Sequence, residues 1–230
     1  QKMIHLVSNL EDNVKACTLH KKNKTTWSNY YDETITSKSY LSAKETLFRN
    51  LVNEVAFETV LDVGANDGFF SKIIAEKAKD VVSIDFDCNC INSLYSYIRK
   101  QKIQNILPLC IDFANPSPAI GFNNKERSAF LDRAGFDLVI ALAVVHHLAI
   151  SKNIPLPAVG ELFQALGKKL IVEFVRKDDE KVQLLLQNRK DIFSNYNQAE
   201  FEKAFGEFFT IDKVVKITGT LRTVYLLTRK

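Results

Sequence analysis

Methionine and tryptophan occur once each in this chain of 230 residues, cysteine four times and proline five times. So few cysteines exclude a small fold stapled by disulfides. Cys17, Cys88, Cys90 and Cys110 match neither the spacing of a zinc site nor a CxxC redox pair. They read as reduced thiols, Cys88 and Cys90 at the start of a helix, with no metal and a cytoplasmic location expected. An excess of one charge is also missing: 31 basic against 27 acidic residues leave a net +4, too little to argue for nucleic acid. The clusters Lys21, Lys22, Lys24 and Arg99, Lys100, Lys102 read as solvated faces. No apolar run reaches the ~18 residues of a membrane span. The longest, from Leu138 to Ile150, is interrupted by His146 and His147. No charged start followed by an apolar stretch and a cleavage site is seen, so neither export nor a membrane partner is expected.

What is present is an ordinary globular mixture, 46% apolar, with sixteen phenylalanines to fill a sizeable core. From Thr59 onward, short β-branched runs alternate with helical patterns. Strands are expected at Thr59–Val63, Val81–Ile84, Ile106–Ile111, Phe136–Ala143 and Leu170–Val175. Helices are expected at Phe69–Lys79, Ile91–Lys100, Glu126–Ala134 and Leu156–Leu166, then at about 179–189 and 198–206. A closing pair, Phe208–Ile217 and Thr223–Thr228, is joined by a turn short enough for a hairpin. The fourth strand lacks alternation, as a strand covered on both faces should. The pattern predicts a doubly wound, Rossmann-like α/β fold: a seven-stranded, mostly parallel sheet with one antiparallel strand. Residues 1–56 carry no strand signal, only helical patterns at Ile4–Cys17 and Ser42–Val55, and read as a helical cap or lid over a domain spanning 57–230.

In such a sheet, ligands bind beyond the carboxyl ends of the strands. Three features converge there. Gly64 and Gly68 bracket the turn after the first strand, where the lack of a Cβ permits a tight turn and close approach to a ligand. Asp85 ends the second strand 21 residues after Gly64, placed to accept hydrogen bonds from both hydroxyls of a ribose. Asp112 ends the third, near where an adenine would lie. The dinucleotide motif GxGxxG fails at two of its three glycines, which are Asn66 and Phe69 here, so a pyrophosphate on the helix N-terminus is disfavoured.

Val60-Leu-Asp-Val-Gly-Ala-Asn-Asp-Gly68, Ser83-Ile-Asp-Phe86, Cys110-Ile-Asp-Phe113 and Asp137-Leu-Val-Ile-Ala-Leu-Ala143 together resemble the ordered motifs of class I S-adenosylmethionine-dependent methyltransferases. The resemblance spans about residues 57–230. It implies S-adenosyl-L-methionine as cofactor, with Asp62, Gly64, Ala65, Asn66 and Gly68 cradling its methionine half. Asp85 would hold the ribose and Phe86 lie beside the adenine. Asp112 would accept from the adenine amino group with Phe113 next to it, and Ala141 and Leu142 would line the floor. Asn66 replaces the usual middle glycine of the family loop and tolerates left-handed backbone. A narrower resemblance is to bacterial methyltransferases related to a nodulation protein. It is carried by Thr26-Trp-Ser-Asn-Tyr-Tyr31 ahead of Lys44, by Ala141–Leu148 and by Ile171–Val175.

Methyl transfer from a sulfonium is an in-line displacement, so orientation carries most of the catalysis and no covalent nucleophile is needed. His146 and His147 follow the fourth strand and are candidate bases; the alternative is a loop and packing element. Glu173 interrupts an apolar strand and needs a partner. It either orients a histidine or touches the acceptor, or else forms a salt bridge with a lysine or arginine such as Arg176. Trp27, Tyr30 and Tyr31 are candidate substrate contacts in the lid, and Lys44 a partner for the cofactor carboxylate; the alternative is aromatics anchoring a cap and a solvated lysine. The expected acceptor is a small molecule or sugar. Two other functions stay open: a cofactor-binding module without catalysis that works through partners, and an NAD-dependent oxidoreductase on a related sheet.

Overall fold

Each β-branched run from Thr59 onward becomes a strand of one sheet. The computed structural model describes residues 1–17, 38–187 and 189–230. Parallel strands β1 (Thr59–Val63), β2 (Asp80–Asp85), β3 (Ile106–Cys110), β4 (Phe136–Ala141) and β5 (Gly167–Val175) are joined by a closing pair, β6 (Phe209–Lys216) and β7 (Arg222–Arg229). Their order is β3-β2-β1-β4-β5-β7-β6, and β7 alone runs against the common direction of the other six. This is the seven-stranded, mostly parallel sheet expected from the sequence. The order reverses between β1 and β4, which pair directly, and a crevice therefore opens beyond their carboxyl ends.

Helices α1 (Lys2–Ala16), α2 (Lys38–Asn53), α3 (Phe69–Ile74), α4 (Cys88–Gln101), α5 (Leu156–Leu166), α6 (Glu180–Leu186) and α7 (Gln198–Phe208) complete the described elements. On one face Phe48, Leu51 and Val52 of α2 pack with Phe70 and Ile74 of α3 and Leu94 of α4. On the other, Phe163 of α5 and Phe201 and Phe205 of α7 meet β4, β5 and β7. The Phe201 and Phe205 rings lie 4.3 Å apart and tilted, so the phenylalanine-rich composition goes into ring contacts of the core. Helix α2 thus shares its apolar core with the sheet, whereas α1 buries no residue.

Three expectations are corrected. Glu126–Ala134 is not a helix; one 3-10 turn, Leu131–Arg133, follows an isolated bridge between Ile120 and Arg127. Residues 126–128 are exposed and have no core to pack on, while Glu126 accepts from the Phe122 backbone N–H across a turn. Strand β4 stops at Ala141 because the chain turns away at Ala143, whose φ is +58°. Cys88 and Cys110 are not reduced thiols but a disulfide. Asp85 and Cys110 are register partners on β2 and β3, and the turn through Phe86 and Asp87 brings Cys88 over that position, with Cα atoms 5.3 Å apart. The 22-residue spacing conceals this contact because a β-ladder makes it. Cys17 and Cys90 are free, so the thiol argument for a reducing compartment fails for one pair of four.

Candidate functional site

The crevice at the strand ends holds a cavity of about 320 Å³, within the range of small-molecule sites. Gly64 and Asn66 form its edge after β1, Asp85 and Phe86 the wall after β2, and Asp112 and Phe113 the wall after β3. Leu142 and His147 close it from the segment after β4, and Lys44 reaches it from α2. The carboxylates at the ends of neighbouring strands therefore share one hollow.

Left-handed backbone shapes the loop after β1, with φ of +71° at Gly64, +52° at Asn66 and +79° at Gly68. Gly68 is the N-cap of α3, and a Cβ there would lie 2.5 Å from Leu94 Cδ1. Gly68→Ala is expected to lower stability by about 2 kcal/mol, combining the left-handed penalty with forced repacking of Leu94. Urea unfolding checks this, and an unshifted midpoint would contradict it.

Asp85 organises the turn. One carboxylate oxygen accepts from the Asn66 N–H and the other from the Asp87 N–H, both at 2.9 Å. The Phe86 backbone also bonds this carboxylate, whose two oxygens together offer about four acceptor positions. Burial raises its pKa, and the Asp87 and Asn66 backbone hydrogen bonds oppose the rise. Asp112 is more exposed; it accepts from Lys152 Nζ at 2.9 Å and from the Ala114 N–H, and the lysine lowers its pKa. Phe113 is buried, whereas Phe86 is 60% exposed at the cavity's mouth.

Asp62 lies behind the loop rather than on the cavity wall, accepting from Ser71 Oγ at 2.5 Å while Ser83 Oγ donates to Ser71. Burial pushes its pKa up to about 7. Ala65 and Ala141 are likewise buried behind the surface. Trp27, Tyr30 and Tyr31 lie outside the described residues, as do Lys21, Lys22 and Lys24.

Glu173 on β5 is fully buried and does not reach the cavity wall. Its partner is not Arg176, which pairs with Asp178; strand β5 ends before Arg176, whose side chain is exposed. Glu173 instead accepts from Lys44 Nζ at 2.5 Å and from the Tyr40 hydroxyl at 3.2 Å. Arg222 of β7 donates to Tyr40 at 2.8 Å, lies 3.6 Å from Glu173 and forks onto Asp179 at 2.8 and 3.1 Å. Burial lowers the Lys44 pKa, and the Glu173 carboxylate opposes the shift. Lys44 is thus no solvated lysine: it links this network to the cavity.

His146 is buried, with Nδ1 lacking a hydrogen-bond partner among the described residues, and its ring lies 4.1 Å from that of His147. Burial, His147, Arg222 and Lys44 hold its pKa well below the usual histidine value. His147, which does line the cavity, is pushed down to about 4 by burial. It opens a π-helical turn, His147–Ser151, that carries Leu148, Ser151 and Lys152 along the wall. Tyr40, Lys152, Asp179 and Arg222 went unnoticed in the sequence. Lys152 stands 40 positions from Asp112, and Arg222 stands 43 from Asp179, with no local pattern to connect either pair. Among the described residues no group of three or more His, Cys, Asp or Glu is placed to hold a metal ion, and no helix is long and apolar enough to cross a membrane.

No protein-family model matches the chain. Nodulation protein NoeA of Rhizobium meliloti (strain 1021) is 34% identical over 207 residues, 90% of this chain. The chain spans 43% of the length of that relative. The N-methyltransferase NodS from Bradyrhizobium japonicum WM9, solved in complex with S-adenosyl-L-homocysteine, superposes with a TM-score of 0.62 at 14% identity, over 90% of this chain and 93% of that one. This is the class I methyltransferase fold. Magnesium protoporphyrin IX methyltransferase from Synechocystis PCC 6803 with bound S-adenosylmethionine gives 0.57 at 14% identity, over 89% of each chain. The 16S rRNA methylase RmtB gives 0.57 at 17% identity, over 84% of this chain and 64% of that one.

Proposed function

We propose that this chain is an S-adenosylmethionine-dependent methyltransferase acting on a small-molecule or sugar acceptor. The observation that carries the reading is the cavity shared by Asp85, Asp112 and the left-handed loop through Gly64 and Asn66. Asp85, whose carboxylate lines the cavity, would take the ribose hydroxyls. Asp112 and Phe113 would receive the adenine, and Phe86 would cover it at the mouth. The loop from Gly64 to Gly68, with Asp62 and Ala65 fixing it from behind, would cradle the amino-acid end. Lys44, held by Glu173 through one of its three donors, has others to offer a carboxylate. When bound, the cofactor supplies an electrophilic methyl carbon on sulfur.

Leu142 and Ala141 support the floor, and His147 faces the remaining space. With a pKa of about 4, His147 is neutral at physiological pH and accepts a hydrogen bond, orienting an acceptor hydroxyl or amine. His146 and Glu173 act from behind as positioning groups for His147 and Lys44. Helix α2 is read as the part of the 1–56 cap that meets the domain, bringing Lys44 to the cavity. A cavity of this size suits a small acceptor better than a polynucleotide.

Calorimetric titration with S-adenosylhomocysteine should give micromolar affinity, and a folded sample that takes up none rejects the proposal. The depressed pKa of His147 also fixes a pH profile. Once an acceptor is found, kcat/KM should show no histidine inflection between about pH 6 and about pH 8. An inflection near the ordinary histidine value, abolished in His147→Asn, would contradict the burial argument.

A further inference from the structure

We infer that the Cys88–Cys110 disulfide is a reversible thiol–disulfide site that sets how tightly the adenosine half of the cavity holds its ligand. The inference rests on the cofactor reading of that cavity. Cys88 is the first residue of α4, three positions after Asp85, and Cys110 is the last residue of β3, two before Asp112. The bridge therefore joins the two turns whose side chains Asp85, Phe86, Asp112 and Phe113 make the adenosine walls. The Cys110 sulfur lies 3.6 Å from the Phe86 carbonyl oxygen, so the bond sits directly against the β2 turn.

Both cysteines are exposed, and exposed disulfides belong to the labile, regulatory class rather than the inert structural one. Beyond the bridge, the end of β2 is tied to the segment after β3 by the Ile111 N–H donating to the Asp85 carbonyl at 2.8 Å. The neighbouring thiol does not interfere. Cys90 is buried one turn into α4, and burial together with Asp87 and Asp85 pushes its pKa up to about 12. It stays a thiol, and the thiolate is the nucleophile in exchange.

The reductant is a dithiol, small or protein-borne. Its thiolate attacks one sulfur of the bridge, the S–S bond breaks, and the other cysteine leaves as a thiolate and takes up a proton. The second thiol of the reagent then displaces the first cysteine from the mixed disulfide. Two electrons and two protons pass to Cys88 and Cys110, and the reagent ends as its own disulfide. The oxidised chain holds the two walls preorganised. The reduced chain must order them on binding, so affinity falls by roughly 5–20-fold.

The test titrates S-adenosylhomocysteine into the full chain before and after dithiothreitol, and into Cys88→Ser/Cys110→Ser. Thiols are counted by alkylation and mass spectrometry after denaturation. Untreated protein should show Cys17 and Cys90 as its alkylated thiols, bind tightly, and weaken on reduction. The double variant should match the reduced chain and ignore dithiothreitol. If that variant fails to fold, the wild-type pair of titrations decides alone. Equal affinity before and after reduction overturns the switch while leaving the cofactor reading intact. Four alkylated thiols in aerobically purified protein overturn the pairing itself. No binding in either state overturns the cofactor reading, and the inference with it.

Discussion

Replacing Asp85 with alanine is expected to weaken S-adenosylhomocysteine binding at least about 100-fold, a loss of ~2.7 kcal/mol. Two effects add. The ligand loses a charged acceptor for its hydroxyls, and hydrogen bonds to charged groups contribute about 1.5–3 kcal/mol each. The backbone N–H groups of Asn66 and Asp87 also lose the carboxylate that gathers them, so Asn66 and the turn after β2 are less firmly held. Asp85→Asn separates the two, because its single carbonyl oxygen can keep one of these backbone bonds without the charge. Its affinity should fall between wild type and the alanine variant. Calorimetry with both variants checks the ordering, and unchanged affinity in Asp85→Ala would remove the ribose from this side chain.

Glu173→Gln should be the most destabilising single substitution proposed here, at about 3–5 kcal/mol, the usual consequence of breaking one side of a buried ion pair. At ~2–4 °C per kcal/mol for a chain of this size, Tm would fall by roughly 10 °C. The cause is the charge left behind. Lys44 is buried, and its Nζ rests on Glu173 at 2.5 Å, with Arg222 at 3.6 Å on the other side of the same carboxylate. Neutralising Glu173 leaves two buried cations facing each other across an amide. Lys44→Met should be milder, because Tyr40 and Arg222 still face the carboxylate. Combining the two substitutions should recover part of the loss. Thermal unfolding of the three variants reads this directly, and a Glu173→Gln chain as stable as wild type would mean that the ammonium has another counter-charge.

The sheet was legible in the sequence because strand periodicity and strand burial are local properties. Val60, Leu61 and Val63 of β1 and the run Leu138 to Ala141 of β4 are buried without alternation because helices cover both faces of the sheet. The same logic failed where burial, not pattern, decides. Glu126–Ala134 has helix-forming residues, but 126–128 are exposed, and only Phe130 and the 3-10 turn after it reach the core. The left-handed positions Gly64 and Gly68 were visible because glycine marks them, while Ala143 at φ +58° carried no such mark.

The acidic walls of the cavity were visible for a related reason. An acid at the end of a parallel strand is placed by strand direction alone, so Asp85 and Asp112 could be assigned from their positions. Tyr40, Asp179 and Arg222 could not, because their contacts join α2, the N-cap of α6 and β7, elements separated by up to 182 positions. Glu173 was flagged as needing a partner, but nearness in sequence pointed to Arg176 rather than to Lys44.

Composition and spacing alone settled the class of fold, the crevice and the carboxylates that open into it, since each follows from one strand's own pattern and direction. Folding in three dimensions decided which charges neutralise Glu173, how far His146 and His147 are withdrawn from water, and that Cys88 meets Cys110. Those are contacts between distant segments. They depend on strand register and helix packing, which no stretch of sequence encodes by itself.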